Sequence, residues 1–575
     1  MNAPYSISTS VFLTAILILL CGMNANAQER FEYDYILTDA RIYDGSGNPW
    51  YKADVGITDG VIQHIGKLDA ETGKEVIALN GLYLSPGFID IHSHSYGPLA
   101  INDGLASEDQ RRREAPNLVS QGITTVFANQ DGRSPDQPIK EQLNNLSAKG
   151  IGVNAGLMIG HNYVRAKALG DDYQRLSTAA EIQQMQERVT QAMQEGAFGL
   201  SSGLEYVPGR WSNTNEVVAL VQMIAPYGGV YIAHQRSEAK TPMLWLPSDN
   251  TELPPPTLLD AIEETIEIGE RTGATVVASH LKSRGANYWG GSKAAISLIQ
   301  QARDRGVSIY ADQYPYNTSG SDGNTRLIPY WALNAEELGL ESEGPDDYTQ
   351  PLIFVLQDSA LRKQLYTDIK HSLAYRGGGE RIIVFEYPDS TYIGKSIAHL
   401  ADQHGITIPE MVVKFQMEGF KNRAGGARLR SFSMHEDDLN AIAKTDWTAT
   451  STDGMITLPE DGPNIHARYY GTFPRKIYKY AITNQTISIA HAIRSSTSLP
   501  AQIMGLKKRG LVQEGYYADL VVFDKDQIRD RSTFFEPHQH SSGIHFVFVN
   551  GVPVMKNQEH THALAGKVLK ANTSE

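Results

Sequence analysis

One pattern recurs along this chain: a short apolar segment is followed at once by a polar residue that can bind a metal ion or move a proton. Residues 229–233 precede His234, and residues 274–279 precede His280. A segment with apolar residues at helical spacing, 292–305, comes next along the chain. This alternation of strands and helices predicts βα units and a parallel sheet, and therefore an α/β fold.

The apolar segments place several potential ligands where strands end. Residues i and i+2 of a strand share a face, so His92 and His94, which follow the apolar stretch 88–91, can point into one cavity. Parallel barrels carry their active sites at the carboxyl ends of their strands. The further predicted ligands at such ends are Asp131, His234, His280 and Asp453. Six such donors suit one Zn²⁺ ion, or two that share a ligand, and favour metal-assisted hydrolysis.

Other histidines are interpreted differently. The pairs His538/His540 and His560/His562 lie in polar surroundings near the C-terminus, which is typical of solvated loops. His161 ends the apolar stretch 157–160 and is predicted to be structural. The first pair differs from these because an apolar strand precedes it and partners follow downstream.

The two ends of the chain share a β-rich texture. Residues 31–84 contain strand-like runs broken by glycine turns, and similar runs return at 517–524 and 544–552. Neither part is long enough for a well-covered domain, so together they predict one small β-domain. The alternation is poor at about 317–440, which is interpreted as an insertion over the barrel mouth, a lid. An ordinary loop-and-helix excursion is the alternative.

The N-terminus is typical of an export signal. The apolar run 11–23 has 13 residues, whereas a membrane span needs about 20. Ala-Asn-Ala at 25–27 offers a cleavage site, so residues 1–27 are predicted to be a signal peptide of a periplasmic or secreted protein. An uncleaved anchor, or a lipoprotein built on Cys21, are the alternatives. Cys21 is the only cysteine, so an exported protein without it has no disulfide and no thiolate ligand.

Composition limits the partners. The chain has 575 residues, a hydrophobic content of 41%, a formal charge of −14 and no basic block. These values describe a soluble globular protein and argue against nucleic acid or anionic lipid as a partner. A small-molecule substrate is expected, and the oligomeric state stays open.

Several longer motifs resemble one family. The segments are Pro-Gly-Phe-Ile-Asp-Ile-His-Ser-His at 86–94, Gly-Ile-Thr-Thr-Val at 122–126, Gly-Arg-Ser-Pro at 132–135, Gly-Leu-Ser-Ser-Gly-Leu-Glu-Tyr at 199–206, Ser-His-Leu-Lys at 279–282, Asp-Gln-Tyr-Pro-Tyr at 312–316, Thr-Asp-Gly at 452–454 and His-Ala-Arg-Tyr-Tyr-Gly-Thr-Phe-Pro-Arg at 466–475. In this order they resemble the amidohydrolase superfamily and, within it, the D-aminoacylase (N-acyl-D-amino-acid deacylase) family.

The resemblance implies a TIM-like (β/α)8 metal-dependent hydrolase barrel at 86–494, with a composite β-sandwich from residues 28–85 and 495–575. It also implies one or two Zn²⁺ ions and a metal-activated water that attacks an amide carbonyl. Asp453 would take the proton of that water and deliver it to the leaving amine. Lys282 and Arg468 would hold the substrate's α-carboxylate, and Tyr206 and Tyr314 would line the pocket.

Asp131 is a departure from the family pattern, because D-aminoacylases typically carry a cysteine ligand before Gly-x-Ser-Pro. Aspartate also binds zinc, through oxygen, so Asp131 is predicted to be a ligand. A turn aspartate that caps local backbone is the alternative, and Gln130 is a weaker substitute.

The predicted function is cleavage of N-acyl-D-amino acids, or of small peptides with a D residue. A cyclic amide hydrolase of the hydantoinase or dihydroorotase kind is a second hypothesis. An inactive binding module is a third, which the presence of the four histidines and Asp453 argues against.

Overall fold

The protein is described from a computed structural model over residues 32–249, 254–320, 324–340 and 347–571. The predicted signal peptide and Cys21 lie outside these ranges, so the structure says nothing about them. Within the described ranges, no helix combines the length and the apolar character needed to cross a bilayer.

The centre of the molecule is a parallel β-barrel. Within the described residues the barrel has eight parallel strands, which are called staves below. One of them is interrupted at Met158. The amide of Phe198 donates to the carbonyl of Leu157 (2.9 Å) and so joins the two sheets on one side. The staves are Phe88–Asp90, Ile123–Ala128, Asn154–Leu157 with Ile159–Gly160, Gly199–Gly203, Val230–His234, Thr275–Ala278, Ile309–Gln313 and Thr448–Thr450. The predicted α/β barrel is confirmed.

The first and last staves close the barrel through a seam formed by site residues. Ser93 and Gly454 form a parallel bridge. The amide of His94 donates to the carbonyl of Gly454 (2.7 Å), and the amide of Asp453 donates to the carbonyl of His92 (2.9 Å). Barrel closure therefore brings residues about 360 positions apart in sequence into direct contact.

Helices cover the outside of the barrel because their apolar faces pack on its outward side chains. The helix Leu258–Thr272 shows the local signals at helix ends. Thr257 and Asp260 form a capping box at its start, and Gly273 ends it in the left-handed conformation. The helices around the barrel are Gln110–Arg113, Pro116–Val119, Ile139–Lys149, His161–Leu169, Ala179–Glu195, Thr214–Ile224, Leu258–Thr272, Gly291–Asp304, Glu436–Ala443, Arg468–Arg475 with the π-helical Lys476–Thr483, and Ile489–Arg494.

The interior of the barrel is a separate apolar core. Ile89, Phe127 and Val277 point inward, and the helix Ser498–Ile503 closes the bottom with Leu499. Residues 498–503 fall inside the segment 495–575 that the sequence assigned to the β-sandwich. They pack on the barrel instead, because their apolar side chains fill its open end.

Strands from both chain ends pair into one sheet of nine strands within the described residues. The join is antiparallel, with Leu520 opposite Pro86. Two strands of the sheet separate the strand of Tyr35 from that of Phe548, yet the two rings pack with centroids 5.6 Å apart, so the sheet curls over a shared core. Its strands are Tyr33–Ile42, Tyr51–Thr58, Val61–Gly66, Gly73–Ala78, Tyr83–Pro86, Leu520–Phe523, Ile544–Val549, Val552–Lys556 and Glu559–His560.

The segment predicted to be an insertion has an apolar core of its own, built from residues such as Leu365, Ile382, Leu400 and Phe415. It joins the barrel where the amide of Ala286 donates to the carbonyl of Ala374 (2.8 Å). Its elements are the helices Thr349–Gln357, Ser359–Tyr375, Ile397–His404 and Ile408–Glu418 and the antiparallel strands Ile382–Glu386 and Arg428–Ser431.

Candidate metal centre

A first group of donors forms at the barrel seam. His92, His94, Asp131 and Asp453 are buried, and one ligand atom from each lies within 4.8 Å of the others. The Nε2 atom of His94 is 3.1 Å from Oδ1 of Asp453, and Nε2 of His92 is 3.4 Å from Oδ1 of Asp131. The i, i+2 spacing of the two histidines therefore does aim both rings at one point.

A second group shares Asp131 with the first. His234 and His280 come from neighbouring staves. Nδ1 of His234 lies 2.9 Å from Nε2 of His280. Each of these atoms is 3.7 Å from Oδ1 of Asp131. The arrangement is that of two donor sets joined by one carboxylate, which suits either a single ion or a pair.

Three of these residues adopt left-handed backbone conformations, with φ of 57° at Asp131, 35° at His280 and 46° at Asp453. This region is uncommon for residues with a side chain, and such residues cluster at functional sites. Each lies just past the end of a stave, so the turn there redirects its side chain toward the barrel axis. The Asp131 side chain contacts the histidines in this way. The side-chain amide of Gln130 instead donates through Nε2 to the carbonyl of Ile91 (2.9 Å).

The donors fit a divalent cation. Within the described residues, Nε2 of His92 and Oδ1 of Asp131 are buried and have no hydrogen-bond partner. Burial lowers the pKa of His92 to about 4, so its ring is neutral and has a free lone pair. Burial raises the pKa of Asp131, but the proximity of His92, a hydrogen bond with His280 and the neighbouring His234 and His94 rings outweigh that effect, and the net shift is downward. Neutral imidazoles and ionised carboxylates are the forms that bind Zn²⁺.

Carboxylates behind the histidines fix the ring orientations, and the sequence analysis missed them. Nε2 of His234 lies 3.2 Å from Glu205, and Nδ1 of His280 lies 2.9 Å from Glu238. Such partners set which ring nitrogen faces the metal. A signal existed, since Glu205 lies inside the quoted motif at 199–206, but it does not tell which way an imidazole turns.

Asp312 also acts from behind the site. It lies in the stave Ile309–Gln313, one residue before its end. Its carboxylate accepts from Ser279 Oγ (2.6 Å) and from the His280 backbone amide (2.9 Å), and Ser279 Oγ contacts Nδ1 of His92. A carboxylate within a stave therefore orients two histidines without contacting their rings directly.

Asp453 is held between His94 and Arg468. Its Oδ2 accepts from Nη2 of Arg468 at 3.0 Å. Burial raises the pKa of Asp453, but the Arg468 charge and the hydrogen bond with His94 outweigh it and hold the pKa well below its ordinary value. The carboxylate is therefore ionised and can accept a proton.

The predicted substrate-binding residues lie next to the donors. The Nζ atom of Lys282 contacts Glu238 and lies 2.8 Å from Nδ1 of His280. The Tyr314 ring stacks against the Arg468 guanidinium at 4.6 Å, and the Tyr206 ring centroid is 4.2 Å from that of His234.

One cavity of about 320 Å³ collects these residues. Nine of the ten predicted site residues line it, and the tenth, His92, lies fully buried behind them. The nine are His94, Asp131, Tyr206, His234, His280, Lys282, Tyr314, Asp453 and Arg468. A larger cavity of about 470 Å³ lies elsewhere, beside Lys507, Lys508 and Lys567, and contains none of them.

The remaining histidines stay out of the cavity lining. His161 pairs with Glu216 at 2.8 Å inside the protein. His538 is bonded at both ring nitrogens, to Tyr470 Oη and to the carbonyl of Gly462, each at 2.7 Å. The first contact agrees with the structural interpretation of His161, whereas His538 lies in a loop, as predicted, but is half-buried and bonded within the protein.

Comparisons with known proteins bear on this site. A model of the amidohydrolase family matches residues 384–555. The chain is 30% identical to the D-aminoacylase of Alcaligenes xylosoxydans xylosoxydans over 93% of this chain and 97% of that protein. The chain belongs to the D-aminoacylase family of amidohydrolases. Its fold also matches a solved D-aminoacylase with a binuclear metal centre, at a TM-score of 0.69, 29% identity and coverage of 94% of this chain and 100% of that one.

A second solved member of the family is similar to the same extent. It is the N-acyl-D-glutamate deacylase of Bordetella bronchiseptica, complexed with zinc and a phosphonate inhibitor that mimics the tetrahedral intermediate. The TM-score is 0.70 and the identity 29%, over 94% of this chain and all of that one. A D-hydantoinase matches at a TM-score of 0.55 and 14% identity, again over 94% and 100% of the two chains, which is a likeness of fold alone.

Proposed function

We propose that this protein is a zinc-dependent deacylase that cleaves the amide bond of N-acyl-D-amino acids. The observation that carries this function is the shared position of Asp131 between two donor groups, with Lys282 and Arg468 in the same cavity. A metal site beside two cations matches a substrate that has an amide to cleave and a carboxylate to hold.

The metal would be held by His92, His94, His234, His280, Asp131 and Asp453. The unpartnered Nε2 of the neutral His92 ring and the unpartnered Oδ1 of Asp131 support this assignment. When bound, zinc supplies Lewis-acid chemistry: it makes water acidic near pH 7 and polarises a carbonyl. Glu205 and Glu238 hold His234 and His280 in the orientation that this requires.

Asp453 would act as the proton shuttle. Its Oδ1 faces His92 and His94, while its Oδ2 is tied to Arg468. The ionised carboxylate takes a proton from the attacking water and then gives it to the nitrogen of the leaving amine. Arg468 keeps the carboxylate ionised and fixes its direction.

Recognition of the α-carboxylate is assigned to Lys282 and Arg468, with Tyr314 between them. The Tyr314 ring lies 5.5 Å from Nζ of Lys282 and 4.6 Å from Cζ of Arg468. Its hydroxyl has no hydrogen-bond partner in the described part of the chain and can donate to the substrate. Tyr206 would pack against the substrate beside His234.

We further propose that the protein is exported to the periplasm or beyond, on the strength of residues 1–27 alone.

The assignment is tested with paired substrates. The protein is purified, stripped with a chelator and assayed with and without added Zn²⁺ on N-acetyl-D-leucine and N-acetyl-L-leucine. Free leucine is expected from the D compound only, and only when metal is restored. Hydrolysis of cyclic ureides or imides without release of leucine would instead favour the hydantoinase-like hypothesis, and metal-independent release would contradict the proposed chemistry.

A further inference from the structure

The cavity over the metal centre carries more basic than acidic side chains. Among the described residues, the lining has five basic side chains and three carboxylates. The basic ones are Arg133, Lys282, Arg284, Arg376 and Arg468, and the acidic ones are Asp131, Glu238 and Asp453. The excess of cations is larger than one substrate α-carboxylate needs.

The ion pairs show which cations are in excess. Glu238 forms ion pairs with Lys282 and with Nη1 of Arg284, the latter at 3.0 Å. Arg468 is bound to Asp453, as described above. In the described part of the chain, the guanidinium groups of Arg133 and Arg376 have no carboxylate within salt-bridge distance.

Arg376 is the more informative of the two because the insertion supplies it. It follows the helix Ser359–Tyr375, and its Cζ lies 5.6 Å from the Tyr375 ring. The same ring lies 4.8 Å from Cζ of Arg284. Arg376 therefore lines the cavity next to the cations that neighbour His280, and it comes from a segment outside the barrel.

Among the described residues no carboxylate forms an ion pair with Arg376, although Glu205 is near enough to raise its pKa. The side chain is half-buried. Burial, which is the larger effect, and the charge of Arg284 together lower the pKa of Arg376 to about 10. The guanidinium is charged at neutral pH, but the environment compensates that charge only in part, because burial and Arg284 outweigh Glu205. A carboxylate brought by a ligand would complete the compensation, and a planar guanidinium can hold it through two parallel hydrogen bonds.

We infer that Arg376 binds a second carboxylate of the substrate, so that this enzyme prefers dicarboxylic N-acyl-D-amino acids. The inference rests on the proposed function for the amide-cleaving site. The second carboxylate has two possible sources with the same chemistry: an acidic amino-acid side chain, as in D-glutamate, or a dicarboxylic acyl group, as in a succinyl amide.

A purely structural role for Arg376 makes a different prediction. A cation at the end of a helix interacts with its carbonyl end and stabilises the fold. Loss of such an interaction lowers activity on every substrate alike, whereas loss of a carboxylate site lowers it only on substrates with a second carboxylate.

The experiment compares substrates that differ by one charge. The zinc-loaded enzyme is assayed on N-acetyl-D-glutamate against N-acetyl-D-glutamine, and on N-succinyl-D-leucine against N-acetyl-D-leucine. In at least one pair, kcat/KM is expected to be higher for the dicarboxylate by about tenfold or more, as for a charged hydrogen bond. The favoured pair identifies the source of the second carboxylate.

Variants then assign the preference to a residue. Arg376→Gln is expected to abolish the preference by raising KM for the dicarboxylate, and to change kcat/KM for the monocarboxylates by no more than about threefold. Arg376→Lys is expected to retain part of the preference. Arg362→Gln removes an exposed arginine from the same helix and is expected to change neither pair. Equal kcat/KM within both pairs, or a preference that survives in Arg376→Gln, overturns the inference.

Failure of the proposed function gives a different result. If none of the four compounds is hydrolysed, the deacylase assignment is wrong, and equilibrium binding of the same pairs by calorimetry tests Arg376 independently. Tighter binding of a dicarboxylate that is lost in Arg376→Gln supports the site, and equal binding rules it out.

Discussion

Asp131 is the residue at which the two donor groups meet. Its two oxygens lie 3.4 to 3.7 Å from ring nitrogens of all four site histidines. A single methylene and a planar carboxylate reach both groups because the left-handed turn at Asp131 points the side chain at the barrel axis. An oxygen donor is harder than the sulfur of a cysteine, so we expect Asp131 to influence which metal ion this member prefers.

Asp453 gives the sharpest test at this scale. Asp453→Asn preserves shape but removes the proton acceptor, so turnover is expected to fall by about 10²–10⁴-fold, as for loss of general acid–base catalysis. Metal content, measured by elemental analysis, is expected to stay at the wild-type level because the other donors remain. Asp304→Asn, at an exposed helix end, is the matched control. Turnover like that of the wild type in Asp453→Asn would refute the shuttle.

The sequence reveals some of these residues and hides others for a physical reason. His92, His94 and Asp453 were predictable because each follows an apolar strand, and strand ends of a parallel barrel converge. Glu205 and Glu238 were not, because a carboxylate behind an imidazole is defined by tertiary contact and has no local pattern. That no carboxylate in the described ranges pairs with Arg376 could not be predicted, for the same reason.

At the scale of elements, the turns after the staves decide where donors point. Gly132 follows Asp131 with φ of +73°, and a Cβ there would lie 2.1 Å from Oδ1 of Asn162 and 2.9 Å from the amide nitrogen of Gly203. The turn is thus packed against the stave Gly199–Gly203 and the helix His161–Leu169. The alternation of apolar segments and helices predicted the staves, but not this packing.

Gly132→Ala tests whether that turn positions the bridging carboxylate. The clash is expected to displace Asp131, lowering metal content and kcat together, and to reduce the thermal midpoint. Gly405→Ala is the matched control, because Gly405 has the left-handed conformation with φ of +66° and nothing lies within 4 Å of the added atom. The control should cost only about 1–2 kcal/mol of backbone strain and retain its metal. Full metal content in Gly132→Ala would show that the turn adapts.

At the scale of the whole molecule, a buried polar network joins the barrel to the sheet. Asp519 accepts from Arg509 and from Nδ2 of Asn154, the latter at 3.0 Å, and Asn154 belongs to a stave. Asn550 donates its amide to Asp519 (2.7 Å) and its Nδ2 to Asn154 (2.8 Å). Similar β texture at the two chain ends predicted that they associate, but the register and this network depend on contacts between residues hundreds of positions apart.

Asp519→Asn is expected to destabilise barrel and sheet together. It leaves the buried Arg509 charge uncompensated, which costs about 3–5 kcal/mol in comparable cases. Denaturant unfolding followed by tryptophan fluorescence and by far-UV circular dichroism should shift to the same lower midpoint. Asp526→Asn, at an exposed pair with Lys525, should change stability by no more than about 0.5 kcal/mol. A shift in only one probe would show that the two parts unfold separately.

The seam between the first and last staves has a consequence for splitting the enzyme. His92 to His280 lie before the insertion, and Asp453 and Arg468 lie after it, so a cut inside the insertion yields two fragments that each hold an incomplete set of donors. Neither fragment can then be active alone. Turnover after mixing them would report directly that the barrel has closed, which makes catalysis itself a readout of reassembly.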